Sequence, residues 1–212
     1  MNIEKKRSPI SPKVIERLTQ YLRHLENLSP EDFISSKELE IRTGFTATQI
    51  RKDLSYFGEF GTKGKGYSIR NLYNNIEKIL GIQKTNNIII IGIGRLGGAL
   101  VEESEFTKES FNIIGIFDNS KSKIGTEIKG IRIRDIKEIP FFFQSKDRID
   151  IAILTVPKKA AQQITTLLIK AGVKSILNFA PINLDIPNNI AVQNIDLYAK
   201  LQELNYWKEH RI

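Results

Sequence analysis

Residues Gly92-Ile93-Gly94-Arg95-Leu96-Gly97 have the form G-x-G-x-x-G, and Asp118 stands 21 positions beyond Gly97. The chemistry this spacing allows is dinucleotide binding. Gly92 permits a tight turn, Gly94 lets a pyrophosphate approach the backbone, and Gly97 lets a helix pack closely on a strand. The helix that opens there offers free N–H groups and the positive end of its dipole to phosphate. Asp118 can accept hydrogen bonds from the adenosine ribose hydroxyls and repel a 2′-phosphate, which predicts NAD(H) over NADP(H). Lys121 and Lys123 lie close by and weaken that selection. The glycine pattern alone is a weak signal. Its context gives it weight, with the β-branched run Ile88–Ile91 before it, GALVEE after it, and a second strand, Phe111–Phe117, ending at Asp118. Ligands of open parallel sheets sit beyond the carboxyl ends of the strands. The strand ends Thr155-Val156-Pro157 and Asn178-Phe179-Ala180-Pro181 are therefore the expected surroundings of the nicotinamide, although both prolines could simply stop strands.

A second group of residues suits phosphate and base edges. Residues 42–70 hold Arg42, Arg51, Lys52, Lys63, Lys65 and Arg70 against Asp53 and Glu59, which is half of the chain's net charge of +8. A single-sign patch of this kind is the expected footprint on a phosphate backbone. In the helix after Thr46, Ile50, Leu54 and Phe57 repeat at i, i+4 and i+7 and should face inward. Gln49, Arg51, Lys52, Ser55 and Tyr56 then face outward, where Arg and Lys can reach guanine in a major groove and hydroxyls can reach phosphates. Ser35, at the start of the preceding helix, joins this set. Gly61, Gly64 and Gly66 punctuate a short hairpin with Lys63 and Lys65 at its tip, a wing thin enough to lie along a minor groove. A charged helix face is often only solvated, so the basic glycine-rich hairpin directly after the helix is what favours a winged helix.

The elements that position these groups are legible in turn. Ser11-Pro12 opens a helix whose Val14, Ile15, Leu18, Tyr21, Leu22 and Leu25 form one apolar stripe, closed by Pro30. Ser35-Ser36-Lys37-Glu38 has the form of a capping box, and Thr46-Ala47-Thr48-Gln49 repeats it. Two short capped helices joined at Gly44 read as helix-turn-helix. A fourth helix over 70–80 ends at Gly81, and Gln83-Lys84-Thr85-Asn86 is the expected boundary between domains. Beyond it βα units alternate, with a strand over 149–156, a helix over 160–171 and a strand over 175–179. The reading is an α/β protein: a winged-helix domain over 1–80, a Rossmann-type doubly wound parallel sheet over 86–194, and a final helix over 195–212. That helix carries Leu197, Leu201, Leu204, Tyr206 and Trp207 and is expected to pack against a partner subunit.

Composition narrows the alternatives. The chain of 212 residues is 41% hydrophobic, enough for real cores, and has no cysteine. Disulfides, thiol redox chemistry and cysteine-ligated metals are thereby excluded, and a reducing cytoplasm is the expected compartment. The polar, basic start MNIEKKRSPISP contains no signal-peptide core, and no apolar run reaches the length of a membrane span. A small NAD-dependent dehydrogenase with a basic N-terminal appendage would share much of this pattern. It would also need a positioned acid or base. The only histidines are His24 and His210, and no tyrosine is followed four residues later by lysine. A CoA- or nucleotide-binding module would share the fold without requiring Asp118.

The segments QIRKDLSYFGEFGTKGKGY, GIGRLGGAL, IFD, AILTVP, ILNFAP and NIDL, in this order, resemble the Rex family of redox-sensing bacterial transcriptional repressors over essentially the whole chain. The first segment is far more specific than the glycine pattern. The resemblance implies a homodimer that represses genes of fermentation and anaerobic respiration, binds operator DNA with NAD and is released by NADH. It also implies a C-terminal helix exchanged between subunits, with Asp196 pairing in one state with Arg17. A symmetric dimer in turn predicts an inverted-repeat operator in double-stranded DNA. One departure stands out. Where many members carry a tyrosine, this chain reads Val101-Glu102-Glu103-Ser104.

Overall fold

The computed structural model describes residues 10–103, 110–145 and 148–210. The chain forms two compact units that divide between Lys84 and Thr85.

The first unit contains α1 (Pro12–Leu25), β1 (Phe33–Ile34), α2 (Ser36–Thr43), α3 (Ala47–Ser55), β2 (Gly61–Thr62), β3 (Gly66–Ser68) and α4 (Ile69–Leu80). Proline occupies the first turn of α1, but the Ser11 hydroxyl makes no capping bond. Helix α2 has the reciprocal box: the Ser35 N–H donates to Glu38 Oε2 at 2.7 Å and the Glu38 N–H to Ser35 Oγ at 3.2 Å. It stops at Gly44, whose φ of 76° suits glycine. At α3 only half of the expected box forms. Thr46 Oγ1 accepts from the Gln49 N–H at 3.2 Å, while the Gln49 side chain turns elsewhere. Leu18, Tyr21, Leu25, Leu39, Ile50, Leu54, Leu72 and Ile76 are buried in one core, and Phe57 packs against it.

The wing is a three-stranded antiparallel sheet in the order β1-β3-β2. Strand β1, only two residues long, has no periodicity for a sequence reading to detect. Its presence explains Gly66. With φ of 86°, a Cβ there would stand 2.6 Å from the Ile34 carbonyl oxygen, so only glycine lets β1 and β3 close.

The second unit begins with β4 (Asn86–Ile91), α5 (Arg95–Glu102) and β5 (Phe111–Asp118). Then follow β6 (Glu127–Ile128), β7 (Ile131–Asp135), a 3-10 turn (Ile136–Glu138), α6 (Ile139–Ser145) and β8 (Ile151–Leu154). Helix α7 (Lys158–Ala171), β9 (Ser175–Asn178), β10 (Ala191–Asn194) and α8 (Leu197–His210) complete it. The sheet order is β10-β9-β8-β4-β5-β7-β6, parallel throughout except for the β6–β7 edge hairpin. Numbered among themselves, the six parallel strands run 3-2-1-4-5-6, the doubly wound Rossmann order, and the crevice lies where β4 meets β8.

Ile88–Ile91 must be apolar throughout because both faces of the sheet are covered. Ile89 and Ile91 pack with Phe117, Ile139, Phe142, Ile164 and Leu168 on one face, and Ile88 and Ile90 with Val101, Ile113 and Ile116 on the other. Helix α8 differs from the other α-helices among the described residues. It buries no residue, and Leu197, Tyr198, Leu201, Leu204, Tyr206 and Trp207 are all more than half exposed. Among the described residues no helix is long and apolar enough to cross a membrane.

Candidate cofactor cleft and nucleic-acid interface

Each of the three glycines meets the steric demand expected of it. Gly92 has φ of 95°, and a Cβ would stand 2.7 Å from Val156 Cγ1 and 2.8 Å from the Thr155 carbonyl oxygen. Gly94 caps α5 and has nothing within 4 Å of its Cβ position, so the backbone is open for a phosphate to approach. At Gly97 a Cβ would lie 2.1 Å from the Gly92 carbonyl oxygen. Arg95 and Leu96 are exposed on the first turn of α5, whereas the Ile93 side chain is buried in the core. The cradle fits a dinucleotide pyrophosphate on these observations.

Around it lies a cleft of about 450 Å³ bounded by Gly92, Gly94, Asp118, Lys123, Thr155 and Pro157. Asp118 is nearly buried. Its Oδ2 accepts from the Ile93 N–H at 2.7 Å, its Oδ1 from the Ser120 N–H at 2.8 Å, and Lys123 Nζ stands 3.7 Å away. Lys123 Nζ also donates to the Ile93 carbonyl at 2.6 Å. The carboxylate thus holds the glycine turn as well as facing the cleft, and each oxygen keeps a lone pair for a ribose hydroxyl. Thr155 sits where a nicotinamide contact was expected, yet its hydroxyl lies 2.7 Å from the Gly92 carbonyl and 3.1 Å from that of Ile91. It latches the turn. Val156 is buried, and Pro157 precedes α7.

Asn178 is fully buried and serves the loop after β9. Its amide N–H groups point at the carbonyls of Ala180 and Ile182 and at Asn194 Oδ1, within 2.8–3.0 Å, and its Oδ1 accepts from the Ala180 N–H at 2.9 Å. Ala180 and Pro181, positioned by these bonds, line a cavity of about 190 Å³ with Asn194, Ile195 and Asp196. Asp196 Oδ1 accepts from the Ala199 N–H at 3.0 Å and so caps α8.

In the first unit the basic residues are deployed outward. Arg51 and Lys52 are exposed on α3. The Arg51 guanidinium is held by Ser36 Oγ at 2.8 Å and Thr48 Oγ1 at 3.2 Å. Ser55 is exposed, with its hydroxyl on the Lys52 carbonyl, and Tyr56 ends the helix partly exposed. Lys63 and Lys65 are exposed at the tip of the wing, closed by the Lys65 N–H to Thr62 carbonyl bond at 3.0 Å. The Ser35 hydroxyl is occupied in its capping box.

Gln49 departs from expectation. Its amide donates to Asp53 Oδ1 at 2.7 Å instead of facing outward. Asp53, which a charge count treats as one negative surface group, is completely buried. Arg17 Nε and Nη2 donate to its two oxygens at 2.5 and 2.7 Å, and the Tyr21 hydroxyl donates to Oδ2 at 2.8 Å. Burial pushes the Asp53 pKa up, but the bonds from Arg17, Tyr21 and Gln49 outweigh it and hold the carboxyl below its ordinary range. Tyr21 is raised, by burial first and by Asp53 second, and Arg17 is raised by its bond to Asp53. Spacing could have revealed the cluster, because residue 53 is i+3 from Ile50 and adjacent to Leu54, on the inward face.

A winged-helix unit followed by a doubly wound nucleotide-binding unit defines a two-domain DNA-binding regulator. Family models agree with each half: "CoA binding domain" matches residues 83–182 and "Putative DNA-binding protein N-terminus" matches residues 9–55. The redox-sensing transcriptional repressor Rex of Caldanaerobacter subterraneus subsp. tengcongensis is 45% identical over 95% of this chain and 90% of its own length. That of Clostridium novyi is 45% identical over 96% and 97%. The crystal structure of RSP in complex with β-NAD+ and operator DNA superimposes with a TM-score of 0.90 at 42% identity, covering 95% of this chain and 94% of that one. RSP in complex with β-NADH gives 0.85 at 40% identity, covering 95% and 96%. The chain belongs to the Rex family of redox-sensing transcriptional repressors. Its relatives are repressors and not enzymes, which sets aside the dehydrogenase alternative.

Proposed function

We propose that this chain represses transcription in the cytoplasm as a homodimer on an inverted-repeat operator, and that NADH bound in the cleft releases it. The observation that carries the reading is the three-glycine cradle with Asp118 beside it, in a chain that also bears a basic winged helix. The RSP structures with β-NAD+ and operator DNA, and with β-NADH, support it. In this reading Gly92, Ile93, Gly94, Arg95, Leu96 and Gly97 hold the pyrophosphate through backbone groups and Asp118 holds the adenosine ribose. Thr155, Val156, Pro157, Asn178, Ala180 and Pro181 shape the nicotinamide end. NADH and NAD+ differ in ring charge, and a differential affinity of about 1–3 kcal/mol between two dimer arrangements is ordinary for such coupling.

Dimerisation is assigned to residues 195–212, since α8 leaves six large apolar side chains exposed. The apolar sheet face formed by Ile88, Phe111, Ile151, Ile153, Leu177 and Val192 bounds a further cavity of about 480 Å³. Asp196 of the exchanged helix would take Arg17 from Asp53 in one state of the switch.

Isothermal titration tests the cofactor half. NADH should bind one site per chain, and Asp118→Ala should weaken it by about tenfold through loss of the ribose bonds. An unchanged affinity would remove Asp118 from that role.

The DNA half separates by contact type. Arg51→Ala should lower operator affinity by about tenfold or more, with a smaller loss on random duplex. Lys63→Ala and Lys65→Ala should weaken both duplexes alike and reduce the salt slope by about one each. Equal losses for Arg51→Ala on both duplexes, or an unaltered slope for the lysines, would reject the respective contact.

A further inference from the structure

We propose that Asp53 is a positioning residue for operator recognition: joined to Arg17, Tyr21 and Gln49, it locks the rotation of α3 against α1 and so sets where Arg51 points. The proposal rests on the operator-binding reading above and adds a residue that touches no DNA.

The carboxylate is completely buried and takes four donated hydrogen bonds, from Arg17 twice and from Tyr21 and Gln49. Arg17 and Tyr21 belong to α1, and Gln49 and Asp53 to α3. The helix-turn-helix turn takes part as well. Phe45 lies 5.9 Å from the Arg17 guanidinium and meets the Tyr21 ring edge-on at 5.9 Å. Water reaches Arg17, with its side chain 17% exposed, and the half-buried Gln49, whereas Tyr21 and Asp53 are buried.

Apolar packing already joins the two helices. Leu18, Leu22 and Leu25 of α1 and Ile50 and Leu54 of α3 already share the apolar core. Apolar packing is non-directional and leaves a short helix free to roll about its axis. A guanidinium fork on a carboxylate fixes an angle. Successive residues of a helix are about 100° apart, so a side chain two positions away from an inward residue points almost directly outward. Pinning Asp53 inward therefore aims Arg51 and Ser55 away from the core, and both are exposed. A roll of about 20° on a helix about 10–12 Å across shifts a side-chain tip by about 2 Å. Hydrogen bonds to base edges do not survive such a shift.

Gln49 supplies a second consequence. Its amide could read adenine if it were free. Bonding to Asp53 withdraws it from the outward face, so the lock removes one reader while aiming another.

The test is selection from a random-sequence duplex library by wild type, Asp53→Asn and Arg17→Lys. Anisotropy titrations then follow on the wild-type site and on random duplex at several salt concentrations. Asp53→Asn keeps the side-chain size but turns an acceptor into a donor, and Arg17→Lys keeps the charge but loses the fork. For Asp53→Asn and Tyr21→Phe, NADH affinity within about twofold of wild type shows that the second unit is intact, and for every variant amide exchange on α3 shows whether the first unit is folded; Arg17, a member of the switch, is compared with wild type only in the absence of nucleotide. Tyr21→Phe, which removes one bond, stands in for Asp53→Asn should that variant unfold.

The expected result is a loss of about tenfold or more on the selected site, a loss under about threefold on random duplex, an unchanged salt slope, and a degraded consensus in the variant selections. A specific-to-random ratio within about twofold of wild type in the folded variants would overturn the proposal. A parallel loss on both duplexes would do the same, by showing a purely structural role. Failure of wild type to select any sequence is a separate outcome that removes the operator reading itself, and the proposal with it.

Discussion

Gly97→Ala abolishes productive NADH binding, with affinity falling by about 100-fold or more, or about 2.7 kcal/mol. The added Cβ would lie 2.1 Å from the Gly92 carbonyl oxygen and 2.8 Å from Thr155 Oγ1. The first of these is backbone and cannot swing aside. To make room, α5 must lift from β4 or the Gly92 turn must move. Either shift breaks the bond from the Thr155 hydroxyl to the Gly92 carbonyl and displaces the N–H groups that face the phosphates. Overpacking of this kind also costs about 1–3 kcal/mol of stability. Gly98→Ala is the internal control. Among the described residues no atom beyond its chain neighbours and its own helix backbone lies within 4 Å of its Cβ position, and alanine favours a helix, so it should bind NADH as wild type does. Comparison of the two variants by calorimetry decides the matter, and retained affinity in Gly97→Ala would contradict the cradle.

Arg17→Met destabilises the winged-helix unit strongly. Removing one partner of a buried ion pair costs about 3–5 kcal/mol because the remaining charge is left uncompensated. The value here should fall at the low end, since Tyr21 and Gln49 still donate to Asp53 and water already reaches Arg17. Amide exchange on α1 and α3 measures it, and a loss under about 1 kcal/mol would show that the pair carries little. The same cluster sets a pH dependence. The Asp53 carboxyl is held below its ordinary pKa in the folded unit. The stability it contributes is therefore present above the unfolded carboxylate value of about 3.9. It is lost as pH falls through the lower folded value. Arg17→Met should flatten this acid limb.

Legibility in the sequence followed how local each cause is. The capping box at Ser35, the stop at Gly44, the glycine turn and the buried run Ile88–Ile91 depend on neighbours a few residues away, and all were readable. The winged-helix and doubly wound architecture followed from them. Strand β1 was not readable, because two residues carry no period and its pairing with β3 lies more than 30 residues along the chain. Strand β7 alternates with arginines next to the sheet edge and resembles a solvated loop, and β10, the opposite edge strand, is mostly exposed and reads no better. The site followed the same rule. The positions of Gly92, Gly94, Gly97 and Asp118 were legible because each answers a local steric or hydrogen-bonding need. The engagement of Gln49, Thr155 and Asn178 was not, since each side chain turns to a partner that only the fold brings near. Asp53 was the largest omission. Its meaning comes from Arg17, 36 residues earlier.

The most direct test of the account is a fluorescence-anisotropy titration of the protein on a palindromic operator fragment, repeated at saturating NAD+ and saturating NADH. The account predicts tight, salt-dependent binding that NAD+ permits and NADH abolishes. Binding that ignores both nucleotides, or that NAD+ disrupts while NADH does not, would contradict it.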